Sequence, residues 1–451
     1  MVISNEKQNT QLFNEKLETL KVDVIGSFKP TNIKVAKEEF LSNNHIRIPN
    51  NEYGNLNENN LIVLLKDFKE LSQLIVKSDM NDFVKNININ GINKKIEDIS
   101  FLLTARKVLD NPLDIDIRKT YMTLNENLNG KPEENVYREM LSDTINSIEV
   151  NKLDEIGLKI YSELRDMVDK NLESGNTRFK PKDETVEAFG EYVNAMFGDL
   201  LQFVPENPDE GKKFSAVEIK DVFTKTIDYL KMTSDFNDAW AVKYTDSSAI
   251  SVDGNEKKIL IPKDRAPITK NKLKGLLVHE IGTHVYRLEM GEQTNILPLA
   301  RGLNGYLDAE EGFAKAMEMA VSNKYEESGI IHYVNAGMAY FDNKDFRDVF
   351  EARWRISLLT KKKPDFSKES IEKAKDLAYN QTQRIFRGTN ILPWFKDLSY
   401  YNGSTKIWKH IENNIDNPTL FDNFLLAGKI DPLNKEHERT AYELWTGKST
   451  R

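Results

Sequence analysis

With 451 residues, of which 39% are hydrophobic and 30% charged, the chain has material for a large folded core in one enlarged domain or two to three smaller ones. A formal net charge of −8 argues against a broad nucleic-acid surface, and the lack of cysteine excludes disulfides, thiolate metal sites and cysteine nucleophiles. No apolar run approaches the ~18 residues of a membrane span, and no basic segment leads into a hydrophobic one at the N-terminus, so a cytoplasmic protein with no membrane or nucleic-acid partner is expected. These properties leave the oligomeric state open.

Residues 1–22 are polar and weakly amphipathic, and read as a loose tail or a short helix. Phe28-Lys-Pro-Thr-Asn32 reads as a turn, because Pro30 disfavours helix at Lys29. From there the pattern is helical. Leu61, Leu64, Leu65, Phe68, Leu71 and Leu74 recur at three- and four-residue spacings and mark one buried helix face. Runs near 134–149, 152–173 and 185–202 behave similarly. Pro205-Glu-Asn-Pro-Asp-Glu-Gly-Lys-Lys213 is the strongest breaker. It is either a boundary between a helical half (23–204) and a catalytic half (205–451) or a loop within one domain.

Trp240, Val242 and Tyr244 alternate, Ala249-Ile-Ser-Val252 follows, and Asp253-Gly254 supplies turn chemistry before Lys258-Ile-Leu-Ile261. A small antiparallel sheet is expected there. Thr269 is the N-cap of the next helix, with Leu273, Leu276, Leu277 and Ile281 as its apolar stripe and Gly291 at its end. After about residue 306 the chain is again helical, apart from a basic loop at Lys361-Lys-Lys-Pro364.

The helix after the strands carries His279-Glu-Ile-Gly-Thr-His284. Two histidines flanking a glutamate are the raw material of a zinc hydrolase, since imidazoles hold the ion and the carboxylate takes a proton from water. Residues five apart on a regular helix diverge by about 140°, too wide for one ion. A local π-bulge of roughly 4.4 residues per turn narrows this to ~50°, and Gly282 would ease the distortion. A third ligand is wanted. Asp308-Ala-Glu-Glu311, after the turn at Gly302-Leu-Asn-Gly-Tyr306, supplies it in Glu311, leaving Glu280 as general base. Asp308 and Glu311 also fit a capping box, which needs no metal.

Beyond this motif, Leu303-Asn-Gly-Tyr306 with Glu310-Glu-Gly-Phe-Ala314, Arg384-Ile-Phe-Arg-Gly388, Phe395-Lys-Asp-Leu-Ser-Tyr-Tyr-Asn-Gly403 and Pro30-Thr-Asn32 occur in order. In these blocks the chain resembles the family marked by a Gln-Glu-Gly-Leu-Ala motif, which includes the microtubule-associated tyrosine carboxypeptidases. The resemblance implies a helix-rich metallopeptidase with a small sheet, His279, His284 and Glu311 as ligands to one zinc ion, and Glu280 as the catalytic residue. Glu310 stands where that family has Gln, and Phe313 where it has Leu. The extra acidity at Glu310 would weaken affinity for acidic, tubulin-like tails.

A carboxypeptidase must hold a free C-terminal carboxylate, most naturally with a cationic fork. Arg384, Arg387 and Lys396 are the candidates, although Arg384 and Arg387 at this spacing equally suit helix-end ion pairs. Tyr306, Tyr400 and Tyr401 are candidate oxyanion donors, or else packing residues. His45, His332, His410 and His437 have no partner at ligand spacing and read as surface or core residues. The expectation is an α+β, predominantly helical, zincin-like metallopeptidase with a small antiparallel sheet beside the metal-binding helix. It would release C-terminal residues from a peptide or protein tail. The alternatives are a dipeptidyl-peptidase-like or other zinc hydrolase, and a non-enzymatic metal-stabilised binding or regulatory protein.

Overall fold

The computed structural model describes residues 2–168, 177–206, 211–247, 249–417 and 419–448. Its helices begin where the chain offers short polar side chains. Asn57, Asn81, Asp114, Asp154, Thr269 and Ser367 each accept from a backbone N–H of the following first turn, and Ser215 and Asp345 form full capping boxes. The central residues of the Pro205–Lys213 breaker, 207–210, and the end of the 152–173 run lie outside the described residues.

The helix Glu58–Lys77 buries Leu61, Phe68, Leu71 and Ile75, while Leu74 is exposed. The expected stripe therefore ends one residue later than read. Leu61, Phe68 and Ile75 follow a seven-residue repeat that holds one face, and Leu74 lies about 100° from Ile75 around the axis. The N-terminal stretch is the helix Val2–Thr19, whose Phe13 and Leu17 join the core containing Phe68 and Leu71.

Three apolar cores organise the molecule, and each draws on residues before 204 and after 213. The largest packs the helices Asp183–Leu201, Ala216–Thr233 and Tyr306–Val321 around the sheet and the histidine-bearing helix. No described helix is long and apolar enough to cross a membrane.

The sheet has three strands: β1 (Ala241–Thr245), β2 (Ser251–Asp253) and β3 (Lys258–Pro262). Their order is β1-β3-β2, with β1 parallel and β2 antiparallel to β3. The sheet is mixed rather than antiparallel. Alternation tells which side chains face inward, and Trp240, Val242, Ile259 and Ile261 are indeed buried, but it carries no information about strand order. β1 and β2, consecutive in the chain, lie on either side of β3 and so stand about 10 Å apart, at two strand spacings. The turn after Asp253, whose Oδ1 accepts from Asn255 and Glu256 N–H groups (both 3.0 Å), then inserts β3 in the middle. Buried Glu289 ties this sheet to the histidine-bearing helix. Its Oε1 accepts from Trp240 Nε1 (2.7 Å) and Lys257 Nζ (2.8 Å), and its Oε2 from Asn237 N–H (3.0 Å).

Candidate active site

The helix capped by Thr269 is α-helical over Lys270–Leu277, takes π pitch across Val278–Val285 and returns to α-helix over Tyr286–Gln293. The bulge expected around Gly282 is present. Gly282 is buried, and a Cβ there would stand 3.1 Å from Met317 Cε and 3.3 Å from Phe197 Cε1. The glycine thus lets the widened turn lie against two neighbouring helices. As a result His279 and His284 come together, with ring centroids 5.1 Å apart. Potential ligand atoms of His279, Glu280 and His284 all lie within 4.8 Å of one another.

The outer nitrogen of each ring is occupied. His279 Nδ1 lies 3.2 Å from Glu318 Oε2, and His284 Nδ1 lies 2.9 Å from Glu310 Oε1. Burial pushes both glutamates up, yet their cations and histidines hold them well below the usual carboxylate range: His279, Lys315 and Lys272 around Glu318, and Lys429, Arg287 and His284 around Glu310. An ionised carboxylate accepts, so Nδ1 of each ring is the donor, which in a neutral imidazole leaves the Nε2 lone pair for a ligand bond. Outer carboxylates that fix a ring's tautomer are the usual support of metal-binding histidines, and this donor set fits a zinc ion. Glu318 follows Glu311 by two turns, a spacing that puts both on one helix face and was the available signal for it. Glu310, at 2% exposure, is buried and ion-paired rather than presented to substrate. That removes the reason for expecting it to weaken acidic-tail binding.

Glu280 is buried, and its carboxyl is pushed up by burial and by the nearby charges of Glu311 and Glu318. Glu311 lies on the Tyr306–Val321 helix, within electrostatic reach of Glu280, Tyr306 and Lys396, but outside the 4.8 Å group. The capping-box reading does not hold. Gly305, at φ 82°, is the N-cap, and Asp308 Oδ2 accepts from Lys406 Nζ at 2.7 Å. Tyr306 is partly buried, its hydroxyl raised by burial and by Glu310 and Glu311. Arg265 has no signal in the sequence. Its guanidinium has no ion pair or hydrogen bond among the described residues, and its Nε is buried without a partner. Burial lowers it, while Glu280 and Glu318 act in the opposite sense, so it lies within electrostatic reach of both glutamates. It lines an open cleft of about 530 Å³ with Thr245, Asp264 and Pro267.

A cationic group gathers around Asp397. Arg384 makes a two-pronged pair with Asp397 (2.7 and 2.9 Å), so its charge is already matched. Lys396 is buried, 3.7 Å from Asp397 and 5.2 Å from the Tyr400 ring centre. Arg387 packs 4.5 Å from the Trp394 ring centre, its Nε buried and unpartnered. Tyr400, not Tyr401, borders these cations. Tyr401 is turned into a core against Tyr333, with ring centres 4.9 Å apart. Gly312 and Gly403 bring this group towards Glu311, since a Cβ on either would strike the backbone of the other's helix.

The model of the microtubule-associated tyrosine carboxypeptidase family matches residues 104–437. The chain belongs to that family. Among curated proteins, none matches the chain. The stretch that matches the tyrosine carboxypeptidase family holds all of the site residues named above, from Phe197 to Lys429.

Proposed function

We propose that the chain is a cytoplasmic zinc-dependent carboxypeptidase, with His279, His284 and Glu311 as metal ligands and Glu280 as general base. The observation that carries this reading is the π turn, which gathers two histidines about a buried glutamate while outer carboxylates hold both Nδ1 atoms. A zinc ion bound there would supply Lewis-acid polarisation of the peptide carbonyl and would make a water acidic enough to lose its proton near neutral pH. Glu280, with its carboxyl pushed up, is suited to take a proton from the attacking water and return it to the leaving amine. Arg265, unpaired and within electrostatic reach of Glu280, is suited to donate to the carbonyl oxygen as charge develops there.

The choice of peptide end rests on charge. Lys396, Arg384 and Arg387 gather about Asp397, and Glu311 is the other carboxylate within electrostatic reach of Lys396, so three cations face two carboxylates, and a buried cation without a counterion is costly. A substrate's terminal carboxylate would supply the missing negative charge. An N-terminal amine would require free carboxylates instead, and Asp397 is taken by Arg384.

Zinc analysis of the purified protein and a diverse peptide library read by mass spectrometry test this. One zinc per chain is expected, with loss of C-terminal residues from library members. Glu280→Gln should keep the metal and lose hydrolysis. A wild type that releases no C-terminal residue overturns the carboxypeptidase reading, and unchanged zinc in His284→Ala overturns the ligand assignment.

A further inference from the structure

Glu310 holds His284, and what holds Glu310 comes from a distant part of the chain. Arg287, three residues beyond His284 and fully buried, pairs through Nη1 with Glu310 Oε2. The same guanidinium donates from Nε to Gly428 carbonyl oxygen (3.1 Å) and from Nη2 to that of Ile430 (2.7 Å). Between those two carbonyls, Lys429 reaches back and places Nζ 2.8 Å from Glu310 Oε1, the oxygen that faces His284 Nδ1. The turn 428–430 is itself pinned. Lys429 N–H donates to Leu299 carbonyl oxygen (2.6 Å), Leu303 N–H donates to that of Lys429 (3.1 Å), and Gly428 sits at φ 84° against the Leu299 backbone. Arg287 also lies over the Phe424 ring at 3.9 Å.

Glu310 is thereby held at both ends of its carboxylate. Both of its oxygens are claimed by cations, and both cations are anchored to one turn between the helices Thr419–Leu426 and Lys435–Lys448. A planar guanidinium reaches a carboxylate and two separate carbonyls from three different nitrogens, whereas the three donors of an ammonium radiate from one atom. We propose that Glu310 is a positioning residue for His284, set by Arg287 and Lys429, so that the turn 428–430 forms part of the metal site. This rests on the metal reading above. Substitutions at these positions should therefore change how tightly the site holds zinc through geometry rather than through net charge.

Charge-conserving variants separate those causes. Zinc affinity is measured by chelator competition on the full chain, and His284 Nδ1 by nitrogen-15 NMR of the metal-free protein. Glu310→Asp keeps the charge but shortens the reach, and Arg287→Lys keeps the charge but loses the fork. Each should weaken zinc binding about 10-fold or more and shift the His284 Nδ1 resonance. Glu310→Gln, isosteric but neutral, should lose less affinity than Glu310→Asp, and it carries the test if Glu310→Asp does not fold. Affinities within twofold of wild type together with an unmoved His284 resonance overturn the proposal, as does a larger loss in Glu310→Gln than in Glu310→Asp. A wild type that binds no zinc while Glu310→Asp still shifts His284 would overturn the metal reading and leave the positioning role standing.

Discussion

The rings of His279 and His284 stand 5.1 Å apart at 76° to one another, a separation that residues five apart reach only because the backbone between them takes π pitch. Gly282 lies inside that turn and has no room on its outer side. Gly282→Leu is expected to cost about 1–3 kcal/mol by overpacking and to lower zinc content. Gly282→Ala should cost less, because the atoms it meets are the flexible end of Met317 and the edge of Phe197. Urea unfolding and metal analysis measure both. A Leu variant with full stability and full zinc would remove the glycine from the explanation.

Arg265 is expected to act on the reacting carbonyl. Arg265→Met should lower kcat by roughly 10²–10³-fold with little change in KM. If KM rises and kcat holds, Arg265 binds the ground state only.

The cations near Glu311 should distinguish peptide ends. Wild type is expected to prefer a free C-terminal acid over the corresponding amide, and Arg387→Met or Lys396→Met should reduce that preference by about 10²-fold. Arg384→Met should act differently, because it strands the buried Asp397. Its main effect is expected in stability, on the order of 3 kcal/mol. Equal acid and amide cleavage by wild type would disprove the assignment.

Tyr401 packs in a core, whereas Tyr400 borders the cations. Tyr401→Phe should leave kcat/KM unchanged, while Tyr401→Ala should cost about 3–5 kcal/mol of stability. Comparing Tyr400→Phe with Tyr401→Phe in one assay checks this, and a larger activity loss from Tyr401→Phe would contradict it.

His332 gives a pH dependence of known sign. Burial lowers it to about 4, against the pull of Asp397, with Arg384, Lys396 and Arg353 acting in the same sense as burial. Between its ordinary value of 6.5 and about 4, the unfolded chain binds a proton that the folded one does not. Stability is therefore full above about pH 6.5 and falls on acidification to about 4, by on the order of 3 kcal/mol from this residue. Unfolding curves at pH 7 and pH 5 should converge for His332→Gln more than for wild type. An identical acid loss in the variant would exclude His332 as a source.

Local chemistry was sufficient for several features. Cap residues such as Thr269, the inward alternation of Val242 with Ile259 and Ile261, and the bulge demanded by five-residue histidine spacing all depend on neighbours along the chain. Amphipathic spacing was less exact, since the stripe that included Leu74 passes instead through Ile75. Strand order was beyond reach, because period-two alternation is the same for a mixed and an antiparallel sheet.

What the sequence determined by itself was the histidine–glutamate motif, its π turn and the ordered blocks that place the chain in its family. What only the tertiary structure decided was the partner of each charge. Glu310 turned out to contact His284, Arg384 to be matched by Asp397, Arg265 to stand unpaired within electrostatic reach of Glu280, and Tyr401 to belong to a core. The physical reason is range. Helix pitch and capping are set within about one turn, whereas the charge felt by a side chain comes from whatever packing brings near it. Lys429 lies 119 positions from the glutamate it holds, and no spacing rule spans that distance.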